Sequence, residues 1–178
     1  MPQERCWRSG CVAEIRPEPR RDLVIGIGNS LRRDDGVGWS LAAWAQRRWP
    51  DLRRLQVQQL TPELSSELLE ARRVLFLDAW LPPANREGAP LPELHALAVP
   101  LQGCAAHPDG ALFSHGLEPQ SLLVITQLLH GRVPPAWQLL VPAFDLGHGE
   151  GFSEPLQRLL PQAEDLLLGW CQEAGGHA

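Results

Sequence analysis

The run LVIGI, Leu23 to Ile27, has no polar residue, and the turn GNSLRRDDGVG that follows it leads straight into a helical apolar pattern. A strand that is apolar throughout is buried on both faces, so it belongs to a sheet covered by helices on both sides. Further strands and helices alternate along the chain, with no internal repeat. Val37, Leu41, Trp44 and Arg48 fall at helical spacing after Gly36, and Pro50 stops that helix. Leu55 to Leu60 alternates like a strand with one wet face. Thr61 is then the expected N-cap, and Pro62 the first position, of a short helix reaching about Ala71. Val74 to Leu77 is a second buried strand with Asp78 at its carboxyl end, and Leu94 to Val99 is a further strand. Pro119 opens a helix lined by Leu122, Leu123, Ile125, Thr126, Leu128 and Leu129 and closed by Gly131. Leu139 to Ala143 is the last strand. Ser153 starts a helix whose apolar face comprises Leu156, Leu159, Leu160, Ala163, Leu166, Leu167 and Trp170. Alternating strands and helices predict an α/β three-layer sandwich, a mostly parallel mixed sheet with helices on both faces.

A chain of 178 residues is expected to form one domain, over 23–178. Residues 1–22 contain acids and no apolar centre. They read as a flexible N-terminal extension rather than a signal or transit peptide, and the cytoplasm is the expected compartment. No apolar run reaches the roughly 18 residues of a membrane span, so no membrane partner is expected. The formal net charge is -5 and the chain has no lysine. This excludes a Walker-type phosphate grip and Schiff-base chemistry, and it argues against a nucleic-acid partner. Cys6, Cys11, Cys104 and Cys171 match no zinc or disulfide spacing and read as ordinary thiols.

Ligands of α/β sheets gather at the carboxyl ends of strands, where the glycine-rich turn and Asp78 both fall. Such turns usually cradle phosphate, but this one ends in Asp34 and Asp35, which would repel it. Each candidate also has an ordinary explanation. One aspartate of the pair serves as a helix cap, Asp78 as a turn residue, and His115, in the irregular stretch QGCAAHPDGALFSHGLEP, as a loop histidine. Taken together, two carboxylates and an imidazole from separate strand ends would form a three-ligand metal site with an open position. A dinucleotide-binding turn is the competing reading, although Leu31 stands where its third glycine belongs.

GIGNSLRRDDGVG resembles the signature of the nickel–iron hydrogenase maturation endopeptidases, VLFLDAW resembles their strand ending in Asp-Ala, and FSHGLEP resembles their histidine segment. The resemblance spans most of the chain from Leu23 onward. It implies that Asp35, Asp78 and His115 bind metal, with Asp35 or Asp78 catalytic, and that Gly26, Gly28, Asn29, Asp34 and Gly36 shape the substrate cleft. The implied activity is a single cut that removes the C-terminal extension of a hydrogenase large-subunit precursor. The metal would be the nickel of that precursor, with no tightly bound metal in the enzyme itself. A noncatalytic metal-sensing chaperone of the same fold is the alternative, because QQLTPEL stands where many members have Gly-Gly-Thr.

Overall fold

A strand buried on both faces needs two helical layers, and the computed structural model, which describes residues 21–83, 85, 87–99 and 117–173, has both. Strands β1 (Leu23–Ile27), β2 (Arg53–Val57), β3 (Val74–Trp80), β4 (Glu93–Leu97) and β5 (Ala136–Pro142) form one sheet in the order β2-β1-β3-β5-β4. The first four in that order run parallel, and β4 is an antiparallel edge on β5. Helices α1 (Val37–Arg48) and α4 (Glu154–Glu173) cover the face that carries Val24, Leu75, Leu77, Leu139 and Val141. Helices α2 (Ser65–Glu70) and α3 (Pro119–His130) cover the face of Leu23, Ile25, Phe76 and Ala136. Period-2 alternation along β3 and β5 thus feeds two separate cores, and the α/β three-layer expectation holds.

Strand order fixes where a site can form. From β1 the chain leaves through α1 to β2 on one side, and from β2 it returns through α2 to β3 on the other. The connections diverge at the carboxyl ends of β1 and β3, and this is where a crevice opens in a doubly wound sheet.

Several element boundaries differ from the sequence expectation for visible reasons. Strand β2 starts at Arg53, because it pairs with β1 from Leu23↔Arg53 to Ile27↔Val57 and ends where β1 ends. Gln58 to Leu60 therefore lie beyond the ladder. Strand β3 continues past Asp78, since pairing with β5 persists to Trp80↔Pro142 while pairing with β1 stops at Gly26↔Leu77. Thr61 is extended and makes no side-chain cap; Pro62–Leu64 form a 3-10 turn ahead of α2. Leu128 and Leu129 are exposed and do not line the buried face of α3. Asp22, assigned to the extension, is bound into the domain. Its carboxylate accepts hydrogen bonds from Arg72 Nε (2.8 Å) and Arg73 Nε (2.9 Å), and its carbonyl accepts one from Arg53 N–H. Arg21 is tied in as well, its carbonyl accepting Arg72 N–H, and residues 1–20 of the expected extension lie outside the described residues. No helix among the described residues is long and apolar enough to cross a membrane.

Candidate metal and peptide site

Glycine makes the crevice possible. A Cβ on Gly26 would stand 2.5 Å from the Gly38 carbonyl oxygen, and one on Gly38 would stand 2.4 Å from that of Leu77 and 2.5 Å from that of Ile27. The first turn of α1 therefore rests directly on the ends of β1 and β3. Gly28 has φ +127°, and a Cβ there would lie 1.8 Å from the Asp35 carbonyl oxygen. Only glycine tolerates both the dihedral and the approach. Asn29 holds the turn as its type suggests: its side-chain oxygen accepts Leu31 N–H (2.9 Å) and its carbonyl accepts Arg32 N–H (3.0 Å). The close face of the turn is thus occupied by the chain's own Asp35 carbonyl, unlike the open amide cradle of a phosphate site.

The neighbouring aspartates in the 3-10 turn Arg33–Gly36 have opposite surroundings. Asp34 is 0% exposed. Its Oδ2 accepts Phe144 N–H (2.9 Å), Asp145 N–H (3.0 Å) and the Ser153 hydroxyl (2.7 Å), and its Oδ1 accepts Ser153 N–H (2.7 Å). Burial would push the Asp34 carboxyl up, but the hydrogen bonds from Ser153, Phe144 and Asp145 outweigh it and hold the group below its ordinary value. This stabilisation is present above the unfolded-state pKa and is lost as pH falls through the folded one. Asp35 is half-buried, and no described residue donates a side-chain or backbone hydrogen bond to its carboxylate.

Asp78 lies on β3 opposite Leu140, one residue beyond the last pairing with β1. Alternation puts it on the same face as Phe76, the side of α2 and α3. Burial pushes its carboxyl up to about 7, against a hydrogen bond from Ala79 N–H, and the charge of Asp35 adds to the rise. The Asp35 charge thus adds to the cost of ionising Asp78, and among the described residues no Arg or His pairs with either carboxylate, so an incoming positive charge would relieve that cost.

Asp78 opens into a cleft of about 440 Å³ whose apolar wall includes Ile27, Leu60, Leu97 and Leu117. The polar side chains of the cleft are Gln58, Gln59, Glu118, Gln120 and Gln138. Of the residues expected to shape a substrate cleft, Gly26, Gly28, Asp34 and Gly36 are buried behind it and Asn29 sits in the adjoining turn. Gly26, Gly28, Asn29, Asp34 and Gly36 are absent from the lining of this cleft of about 440 Å³, and what the described residues show of them is how they hold the turn. Sequence reasoning missed the glutamines. Gln138 alone left a signal, as the single polar residue in AWQLLVP and on the face shared by Asp78.

Asp35 and Asp78 are thus brought together, and the third expected ligand, His115, lies outside the described residues. Among those residues no group of three or more His, Cys, Asp or Glu side chains could hold a metal ion. Of the cysteines, only Cys171 falls among them, as a free and buried thiol whose pKa burial raises to about 11.

The architecture recurs in solved structures. The hydrogenase maturating endopeptidase HybD from E. coli is similar at a TM-score of 0.63 and 18% identity, over 87% of this chain and 94% of that one. This is the fold of the hydrogenase maturation proteases. HybD from Thermococcus kodakarensis matches at a TM-score of 0.55 and 16% identity, over 84% of this chain and 98% of that one. A hydrogenase 2 maturation peptidase from a Thaumarchaeota archaeon matches at 0.57 and 24% identity, over 89% of this chain and all (100%) of that one. No family model matches the sequence, and no curated protein is similar to it at a significant level.

Proposed function

We propose that this chain is a maturation endopeptidase that removes the C-terminal extension of a nickel-loaded hydrogenase large-subunit precursor. The observation that carries this reading is the pair of carboxylates Asp35 and Asp78, with no paired cation among the described residues, at the β1/β3 crevice in the fold of the maturation proteases. Nickel enters as part of the substrate. Asp35 offers a carboxylate that no described residue hydrogen-bonds, and Asp78 gives up its proton to solvent when the cation arrives; His115 is the third donor. Such a set of two oxygens and one nitrogen completes the shell of an ion already held by the precursor, and it leaves the enzyme without a tight metal of its own. The cleft beside Asp78 takes the peptide segment to be cut. Bond cleavage then uses either polarisation of the scissile carbonyl by the substrate's nickel or a water activated by Asp35 or Asp78.

The glutamines give the noncatalytic alternative a specific basis. Gln58 and Gln59 occupy the cleft wall at the segment where the resemblance places Gly-Gly-Thr, so a chaperone that senses the metal and cuts nothing is the second reading.

One experiment separates these readings. Metal-stripped protein is mixed with nickel-loaded and nickel-free precursor, and products are followed by mass. The endopeptidase should shorten only the loaded form, and Asp35→Ala or His115→Ala should reduce the rate by about a hundredfold or more. Cutting of the nickel-free form, or a stoichiometric zinc retained by the enzyme, would leave an ordinary metallopeptidase as the better account. Binding without cutting would favour the chaperone.

A further inference from the structure

Four donors converge on the Asp34 carboxylate, and all of them lie 110 to 119 residues further along the chain. A carboxylate that merely capped its own turn would bond within that turn, and the turn Arg33–Gly36 has no side-chain cap. The backbone reinforces the same junction. Asp34 N–H bonds to the Asp145 carbonyl (3.1 Å), Arg33 N–H to the Gly149 carbonyl (3.0 Å), and Gly149 N–H to the Leu31 carbonyl (2.9 Å). Arg33 also pairs with the Asp145 carboxylate at 3.2 Å. The connection between β5 and α4 is itself fixed at both ends. Ala143 N–H bonds to the Trp80 carbonyl (2.8 Å), two residues beyond Asp78 on the same strand. Ser153, which gives Asp34 two hydrogen bonds, also accepts Leu156 N–H at 3.4 Å at the start of α4.

We infer that Asp34 is a positioning residue: it fastens the turn that carries Asp35 to the connection hung on the end of the strand that carries Asp78, and so fixes the spacing of the two carboxylates. The inference rests on the proposed role of that pair. Neither acid could serve a shared cation if the turn drifted, because Asp35 has no hydrogen bond of its own among the described residues to hold its carboxylate in place. The pair Asp-Asp is thereby divided, one member locked and the other left free to bind.

The test uses the full chain and three variants. Asp34→Asn can keep its oxygen at the position of Oδ2 but sets an NH2 against Ser153 N–H; Ser153→Ala removes one of the four bonds to Asp34 together with the long one from Leu156 N–H; Asp34→Ala removes all four. Asp34→Asn should lower kcat on nickel-loaded precursor by about ten- to a hundredfold, as supporting groups behind a ligand do, with KM changed less than about threefold. Backbone hydrogen exchange should quicken at 29–36 and 144–153 while β3 keeps its protection. Ser153→Ala should fall between wild type and Asp34→Asn on both readouts. Unchanged kcat would overturn the inference, and so would a loss of activity that merely tracks global unfolding with protection lost throughout. If wild-type protein cuts no precursor, the reaction reading fails by itself. Exchange then decides the latch: faster exchange confined to the two segments supports it, and unchanged exchange overturns it.

Discussion

Asp78→Asn should make the metal-free protein more stable while abolishing precursor processing. The carboxyl has an ordinary value of 3.8 and is pushed to about 7 by burial, with the Asp35 charge adding to the rise. At 1.36 kcal/mol per pKa unit, ionising it in the fold costs up to about 4 kcal/mol. The sign follows from the direction of the change. A raised folded-state pKa means that the native state binds the proton more tightly than the unfolded chain, so the cost is absent below about pH 4, grows between about 4 and 7, and is complete above that. Asparagine has the same shape, carries no charge and can keep the Ala79 N–H as a donor. Its melting temperature should match wild type near pH 4 and exceed it at pH 8 by roughly 8–16 °C, from about 2–4 °C per kcal/mol for a chain of this size. Thermal melts across pH, with a cleavage assay, check both halves. A pH-independent difference would mean that Asp78 is not the strained group. Stability gained where activity is lost is the trade-off expected of a site built to receive charge.

How much of this could be read from residues depends on the range of the deciding interaction. Strand β1 and helix α1 follow from local periodicity, and the glycines and Asn29 announce a tight turn because the constraints act within a few residues. Strand order does not, since nothing in VLFLDAW says that β3 crosses over β1 or that β4 joins the far edge reversed. Boundaries slipped where a partner strand, and not the strand's own pattern, decided the end: β2 stops with β1, and β3 runs on with β5. The two aspartates make the same point at the site. Side by side they are chemically identical, and what distinguishes them is a set of donors more than 100 residues away. The glutamines of the cleft gave less warning still. Gln58 and Gln59 lie in a stretch that alternates like a strand, and only the early end of β2 turns them into cleft wall.

Gly28→Ala should be the most damaging conservative change in the turn, and two other glycines separate its causes. At Gly28 an added methyl meets both obstacles, a φ of +127° and a backbone oxygen at 1.8 Å. Gly151 has φ +84° with nothing within 4 Å of a built Cβ, so Gly151→Ala isolates the dihedral term. That term is of order 1 kcal/mol. Gly26 has no such φ but would place its Cβ 2.5 Å from the Gly38 carbonyl oxygen, so Gly26→Ala isolates the crowding. Overpacking costs typically about 1–3 kcal/mol and more where the neighbour is backbone that cannot turn aside. Gly28→Ala combines the two and should destabilise by about 4 kcal/mol, lowering the melting temperature by roughly 8–16 °C. The loss should also reach the chemistry. The oxygen in the way belongs to Asp35, so any backbone shift that relieves the clash moves the one carboxylate of the pair that no described residue hydrogen-bonds. In variants compared at a temperature where all remain folded, Gly28→Ala should therefore cut far less than Gly151→Ala. Equal activity would mean that the seat of Asp35 does not depend on this glycine.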